Sequence, residues 1–189
     1  MNAEGGTPRF VGEAIVLGQL SWHPDGNRIM FAAPGRDLPR LEMISNSDGR
    51  IEPFSTKGGA ASPAWSAVTR RLAYLEPTTT PPVQQLLTFV DEQGNTVLPR
   101  FPRERVSINN GYLAWSPDGH RLAAMAVVAN GSASIWIAEP EGPQPMRKLL
   151  DLPISVLPRG LAWTGDGTGL IVAYEESTSD IVRFDVTLP

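Results

Sequence analysis

The chain has 189 residues, enough for one domain with a substantial core and short for two. Hydrophobic residues at 41% and charged residues at 19% exclude intrinsic disorder, and the net charge of −4 speaks against nucleic acid as a partner. The absence of cysteine excludes disulfides, thiolate catalysis and Cys-ligated zinc, while 18 Gly and 18 Pro point to many turns rather than long helices.

The opening MNAEGGTPRF shows no charged and then apolar leader, so no signal peptide is visible. No apolar run approaches the roughly 20 residues of a membrane span. Residues 9–16, RFVGEAIV, predict a spare strand. Residues 17–54 contain LSWHPDGNRIMF, in which apolar residues alternate on both sides of Pro24-Asp25-Gly26. Pro presets the first turn position, Asp bonds back to its own backbone, and Gly takes the positive φ that returns the chain to the ladder. Two antiparallel strands joined by a tight turn follow from this, then a third strand, LEMISNSDG, that turns at Gly49, and a fourth around Ile51–Phe54.

Residues 60–99 repeat the scheme with PAWSAVTRRLAY, although Ala67, Val68 and Thr69 stand where the turn residues were. LLTFVDEQG then turns at Gly94 into a short strand around Thr96–Leu98. Residues 108–150 hold LAWSPDGHRLAA with its turn at Pro117-Asp118-Gly119, SIWIAEPEG turning at Gly142, and a strand around Met146–Leu150. Residues 156–189 hold LAWTGDGTGLIV with a looser Gly165-Asp166-Gly167 turn, and a third strand, DIVRFDV.

Four of the five tryptophans thus occupy one repeat position: Trp22, Trp65, Trp115 and Trp163, at intervals of 43, 50 and 48 residues by subtraction. An aliphatic residue stands seven positions after each: Ile29, Leu72, Leu122 and Leu170. With Asp25, Gly26, Asp118, Gly119, Asp166 and Gly167, these tryptophans are the structural anchors of the repeat. A repeat of this length carrying four short strands is one blade of a β-propeller. The expected fold is all-β: a single propeller domain over 1–189, built of four four-stranded antiparallel blades.

LSWHPDGNRIMF and LAWSPDGHRLAA resemble the Trp-Ser-Pro-Asp-Gly repeats of TolB-like β-propellers, a WD40-like repeat family, over nearly the whole chain. The Gly-His and Trp-Asp signatures of WD repeats are absent, as is the sialidase Asp box. TolB-like propellers usually have six or more blades, whereas this chain supplies four. Three arrangements are open: a segment of a longer protein, a small ring closed by residues 9–16 as the missing outer strand of the fourth blade, or a homodimer completing a larger ring. An unclosed ring leaves strand edges exposed to association.

The resemblance implies a non-catalytic scaffold or sensor that binds a protein or peptide partner. It implies a bacterial, extracytoplasmic setting, periplasmic or secreted. It also implies an alternative: the substrate-gating propeller portion of a prolyl-oligopeptidase-like serine hydrolase whose catalytic domain lies outside this chain.

The residues themselves offer no catalytic set. No Gly-x-Ser-x-Gly elbow, phosphate-cradling loop or metal-spaced His pair occurs, so no enzyme activity, cofactor or metal is expected. His23 and His120 flank turns and read as solvated turn residues; Trp136, mid-strand, reads as packing between blades. The Pro-rich stretch EPTTTPPVQQ, Glu76–Gln85, is a long connection, either partner-binding or simply tolerated. Propeller topology places Asp25, Asp48, Asp91, Glu92, Asp118, Glu139, Glu141 and Asp166 on one face. It places Lys57, Arg103, Arg105 and Arg159 on the connections leading into the blades on the other. These four cations around the channel mouth are the candidate binding residues, suited to an acidic peptide or anionic group.

Overall fold

A computed structural model describes residues 8–54, 56, 58–77, 85–97, 111–127, 133–142, 146–153, 157–175 and 180–185. Fourteen strands lie among the described residues, and every pairing between them is antiparallel. Blade 1 comprises β1 (Leu20–Trp22), β2 (Arg28–Ala33), β3 (Arg40–Ser45) and β4 (Ile51–Phe54); blade 2 comprises β5 (Ala61–Trp65), β6 (Leu72–Pro77) and β7 (Gln85–Val90). Blade 3 is β8 (Tyr112–Trp115), β9 (Leu122–Val127), β10 (Ala133–Ala138) and β11 (Met146–Asp151). Blade 4 is β12 (Leu157–Trp163), β13 (Gly169–Glu175) and β14 (Asp180–Asp185). In each blade the strands lie side by side in chain order, a meander. Of the expected fourth strand of blade 2, around Thr96–Leu98, the described residues hold a bridge between Val90 and Thr96, and Leu98 lies outside them.

Each anchor tryptophan ends the inner strand of its blade. The aliphatic residue seven positions on is its direct cross-strand partner: Trp22 faces Ile29, Trp65 Leu72, Trp115 Leu122 and Trp163 Leu170. Five or six residues of turn separate each pair of strands, and the ladder closes the same way four times, from His23 N to Arg28 O, Ser66 to Arg71, Ser116 to Arg121 and Thr164 to Gly169. Gly26, Gly119 and Gly167 take φ between 70° and 74°, as the turn requires. In blade 2 the left-handed residue is Arg70, φ 53°, one position later, and its N–H reaches back four residues to Ser66 O. The degenerate repeat therefore keeps its length by making a wider turn.

Alternation along the strands sends one set of side chains toward the preceding blade and the other toward the next. The core is accordingly three layers between blades. Met30, Ala32, Leu41, Met43 and Phe54 of blade 1 meet Trp65, Leu72 and Tyr74 of blade 2. Ala73, Leu75, Leu87 and Phe89 meet Leu113, Leu122 and Ala124, with Trp115 and Trp136 packed alongside. Met125, Ile135 and Ile137 meet Leu170 and Val172, with Trp163 alongside. Inner strands follow one another in chain order, β1 on β5, β5 on β8 and β8 on β12. The arc stays open: Trp22 at its start is 55% exposed and Ile171 at its end 38%.

Residues 9–16 do not complete blade 4. They lie across the first face of blade 1, where Val11 packs on Phe31, Ala33 and Ile44. Arg9 donates to Asn46 Oδ1 at 2.8 Å, and Leu17 N donates to Ala32 O at 2.8 Å. Two glycines permit this seat. A Cβ on Gly49 would stand 2.2 Å from Val11 O, and one on Gly12 2.9 Å from Ile44 Cδ1. Blade 1 has no neighbour on that face, so covering Phe31 and Ile44 gives the segment a larger apolar gain than pairing at a distant edge.

Candidate functional site at the channel mouth

The inner strands begin at one mouth of the axis and end, at their tryptophans, near the other. At the first mouth a cavity of about 580 Å³ is lined by all four blades: Leu17 and Gly18 from blade 1, Ser62 and Gln85 from blade 2, Tyr112 from blade 3 and Arg159 from blade 4. Ser62 holds φ 52° at an irregularity of β5 between Ala61 and Ala64, which turns the strand out of its ladder. The Oε1 atom of Gln85 is buried and has no hydrogen-bond partner among the described residues. The Pro-rich excursion springs from the same rim, since Pro77 pairs with Gln85 at its base. Residues 78–84 lie outside the described residues.

Gln19 spans the axis just below this cavity. Its Nε2 donates to Pro63 O at 2.6 Å and Leu113 O at 3.1 Å, while its Oε1 accepts from Leu113 N at 2.9 Å. One amide thus ties blade 1 to blades 2 and 3 and floors the mouth with satisfied polar groups.

Of the four cations read from the sequence, Arg159 lines this cavity, with its Nε donating to Glu175 at 2.7 Å. Both side chains are about half exposed, so the pair holds the guanidinium in place without removing it from solvent. Lys57, Arg103 and Arg105 lie outside the described residues.

The opposite face is not the uniform acidic surface that the strand ends suggest. Asp25, Asp48, Asp91, Asp118 and Asp166 accept hydrogen bonds from main-chain N–H groups of their own turns. Arginines stand among them: Arg28 pairs with Asp25 at 2.6 Å, Arg70 with Glu92 at 2.5 Å, and Arg71 with Glu141 at 2.6 Å. The Thr164 hydroxyl and the Thr168 N–H hold the Asp166 carboxyl down at about 2, and the Ser116 hydroxyl and His120 N–H lower Asp118. For Asp25, burial pushes upward but is outweighed by the N–H of Asn27 and the guanidinium of Arg28, leaving it well below the usual carboxylate range.

Sequence reasoning missed the role of position six after the tryptophan, which carries Arg28, Arg71 and Arg121. Arg121 donates to Gly167 O of the next blade at 3.0 Å and covers the Trp163 ring at 4.9 Å; Arg71 reaches Glu141 of the next blade. The recurrence was legible, but its direction across the blade gap was not.

His23 also departs from expectation. It is 4% exposed, set edge-on against Trp65 at 4.8 Å, with Asp25 N donating to its Nδ1 at 3.2 Å. Proline and the turn fold the ring inward over the blade 1–2 layer rather than outward. Burial and the neighbouring Arg28 lower its pKa. His120 is exposed, as expected. Among the described residues no cluster of metal-ligating side chains occurs.

No protein-family model matches the chain, and no curated protein does so significantly. Solved structures do. TolB from Acinetobacter baumannii is 15% identical with a TM-score of 0.65, covering 92% of this chain and 41% of its own. A nidogen/laminin complex is 14% identical with a TM-score of 0.63, covering 85% of this chain and 57% of the other. A prolyl endopeptidase structure is 18% identical with a TM-score of 0.57, covering 90% and 26%. The chain spans less than two thirds of each of these proteins. It has the fold of a TolB-like β-propeller.

Proposed function

We propose that the chain is a non-catalytic propeller that binds a protein or peptide partner at the channel mouth. The carrying observation is the four-blade cavity beside Arg159, where the inner strands present one anchored cation next to a buried Gln85 carbonyl oxygen that has no hydrogen-bond partner among the described residues. The likeness to a propeller seen in a nidogen/laminin complex supports a protein partner. The exposed, oriented guanidinium favours a segment bearing a carboxylate over a neutral one. The TolB-like fold supports an extracytoplasmic role; among the described residues no helix is long and apolar enough to cross a membrane.

Fluorescence anisotropy with labelled acidic peptides and matched Asn/Gln peptides tests the reading. Acidic peptides should bind at least tenfold more tightly, and Arg159→Glu should erase that preference. Equal binding of both sets, or preference unchanged by Arg159→Glu, would refute it. The likeness to a prolyl endopeptidase favours a second reading, a propeller that gates a serine hydrolase. A Gly-x-Ser-x-Gly elbow encoded downstream of Pro189 would favour that reading instead.

A further inference from the structure

His23 lies in the seam between blades 1 and 2 at the turn face, and charged groups from both blades converge on it. The ring is 4% exposed and stands edge-on against Trp65, which meets Phe54 at 6.2 Å. From its own turn, Asp25 Oδ1 lies 3.2 Å from Nδ1, and Arg28 Nη2 lies 3.3 Å from both ring nitrogens. From blade 2, Glu92 Oε1 lies 3.8 Å from Nε2. That same Oε1 atom accepts a hydrogen bond from Arg70 Nη2 at 2.5 Å. Glu92 therefore stands between two partners, Arg70 in its own blade and His23 in the neighbouring one.

Which partner holds the carboxylate depends on the charge of the imidazole. Against a neutral ring, the guanidinium is the stronger partner, and the short contact to Arg70 reflects it. A charged ring carries an N–H on both nitrogens, so Nε2 then presents a charged donor to Glu92. Arg28 becomes a like charge against the ring and is driven from it, while its Nε keeps the Asp25 carboxylate at 2.6 Å. Burial decides the competition for Glu92. Arg70 is about half exposed, so water screens its pair and makes it worth little. A cation on the buried ring has no such screening, and leaving it without a counter-charge is costly. Closing 3.8 Å to hydrogen-bond distance takes a movement of about 1 Å, the scale of a side-chain rotation.

We infer that His23, Glu92 and Arg70 form a proton-operated latch across this seam. With the imidazole neutral, Glu92 pairs with Arg70 inside blade 2. When the ring takes a proton from solvent, Glu92 crosses to His23 of blade 1 and releases Arg70. One ion pair within a blade thus becomes one between blades. The exchange offsets part of the cost of the buried charge, so it holds blades 1 and 2 together in mild acid. It also leaves a free guanidinium on the turn face under the same condition. Burial and Arg28 oppose the proton, whereas Asp25 and Glu92 favour it, so the latch works against a seam that acid otherwise loosens.

Nuclear magnetic resonance titration of the full chain from pH 8 to pH 5 tests this. The chain has two histidines, so His120→Gln assigns the ring signals of His23. The Glu92 carboxyl carbon and the Arg70 Nε–H should shift with the His23 midpoint, the latter toward the position of a free guanidinium. Glu92→Gln should move the midpoint down, because the charged ring loses its counter-charge. Arg70→Gln should move it up, because the carboxylate is then free to cross. In the Glu92→Gln background, Arg70→Gln should have no effect, since Arg70 acts on His23 through Glu92. The loss in melting temperature between pH 8 and pH 5 should be larger in Glu92→Gln than in the unaltered chain, and smaller in Arg70→Gln. Glu92→Asp, which withdraws the carboxylate by one methylene, replaces Glu92→Gln if circular dichroism shows loss of strand structure. An Arg70 signal that stays fixed while His23 titrates would overturn the exchange. An Arg70→Gln effect that persists without Glu92 would reduce it to plain charge repulsion and overturn it equally. A ring that stays neutral down to pH 5 would leave no latch at all.

Discussion

Arg70 shows how a single residue absorbs the loss of a motif. Where the other repeats place glycine at the left-handed position, blade 2 places arginine at φ 53°. An L-residue there meets its own carbonyl, at a cost of about 1 kcal/mol. The ion pair it makes with Glu92 is largely exposed and returns little of this. Arg70→Gly should therefore stabilise the protein by up to about 1 kcal/mol despite the lost pair. Urea denaturation of the two proteins at neutral pH checks it, and a destabilised variant would contradict the strain argument. Ser62, the other non-glycine residue with positive φ among the described residues, is at the channel mouth, where its conformation shapes the cavity wall.

Between blades, the tryptophan is the repeating joint, and the joints are not equal. Trp115 and Trp163 combine apolar burial with an indole hydrogen bond to the previous blade. Trp65 is more deeply buried, yet its Nε1 has no acceptor among the described residues; its main-chain N–H instead donates to Ser21 Oγ at 2.8 Å. Replacing indole by phenyl removes a made bond in one case and an unmade donor in the other. Trp115→Phe should cost more than Trp65→Phe by about 1 kcal/mol, the net worth of a hydrogen bond in a protein. Chemical denaturation of both variants gives the comparison, and an equal or reversed order would show that packing volume alone governs the joint.

Across the whole molecule, acid acts on the turn face in two stages. His23, buried between blades 1 and 2, has its pKa lowered by burial and by Arg28 from an ordinary 6.5. The unfolded chain therefore binds more protons there, and stability falls as pH drops below about 6.5. The turn aspartates have folded pKa values below their ordinary 3.8, reaching about 2 at Asp166, so their contribution is full above 3.8 and is lost as pH falls toward 2. Melting temperature followed from pH 8 to pH 2.5 should decline in both windows. His23→Phe should flatten the first and leave the second. A profile level from pH 8 to 5 in the unaltered protein would show that His23 does not titrate as its burial requires.

The repeat, the blade number, the Pro-Asp-Gly turns and the aliphatic residue seven positions after each tryptophan were readable from the sequence alone. These are local features: a turn residue and a period-two alternation act on neighbours a few positions away, so residue order already contains them. Arg159 could be placed at the mouth by topology, because a meander alternates its ends. The outcome of residues 9–16 could not be read: they form no strand, a short apolar segment has no mark of which distant face it will cover, and Gly12 and Gly49 mattered only once Val11 lay against them. The inward turn of His23 and the reach of Arg71 and Arg121 into the next blade escaped for the same reason. Each depends on groups more than forty residues away, brought together only when the blades stack and exclude water between them.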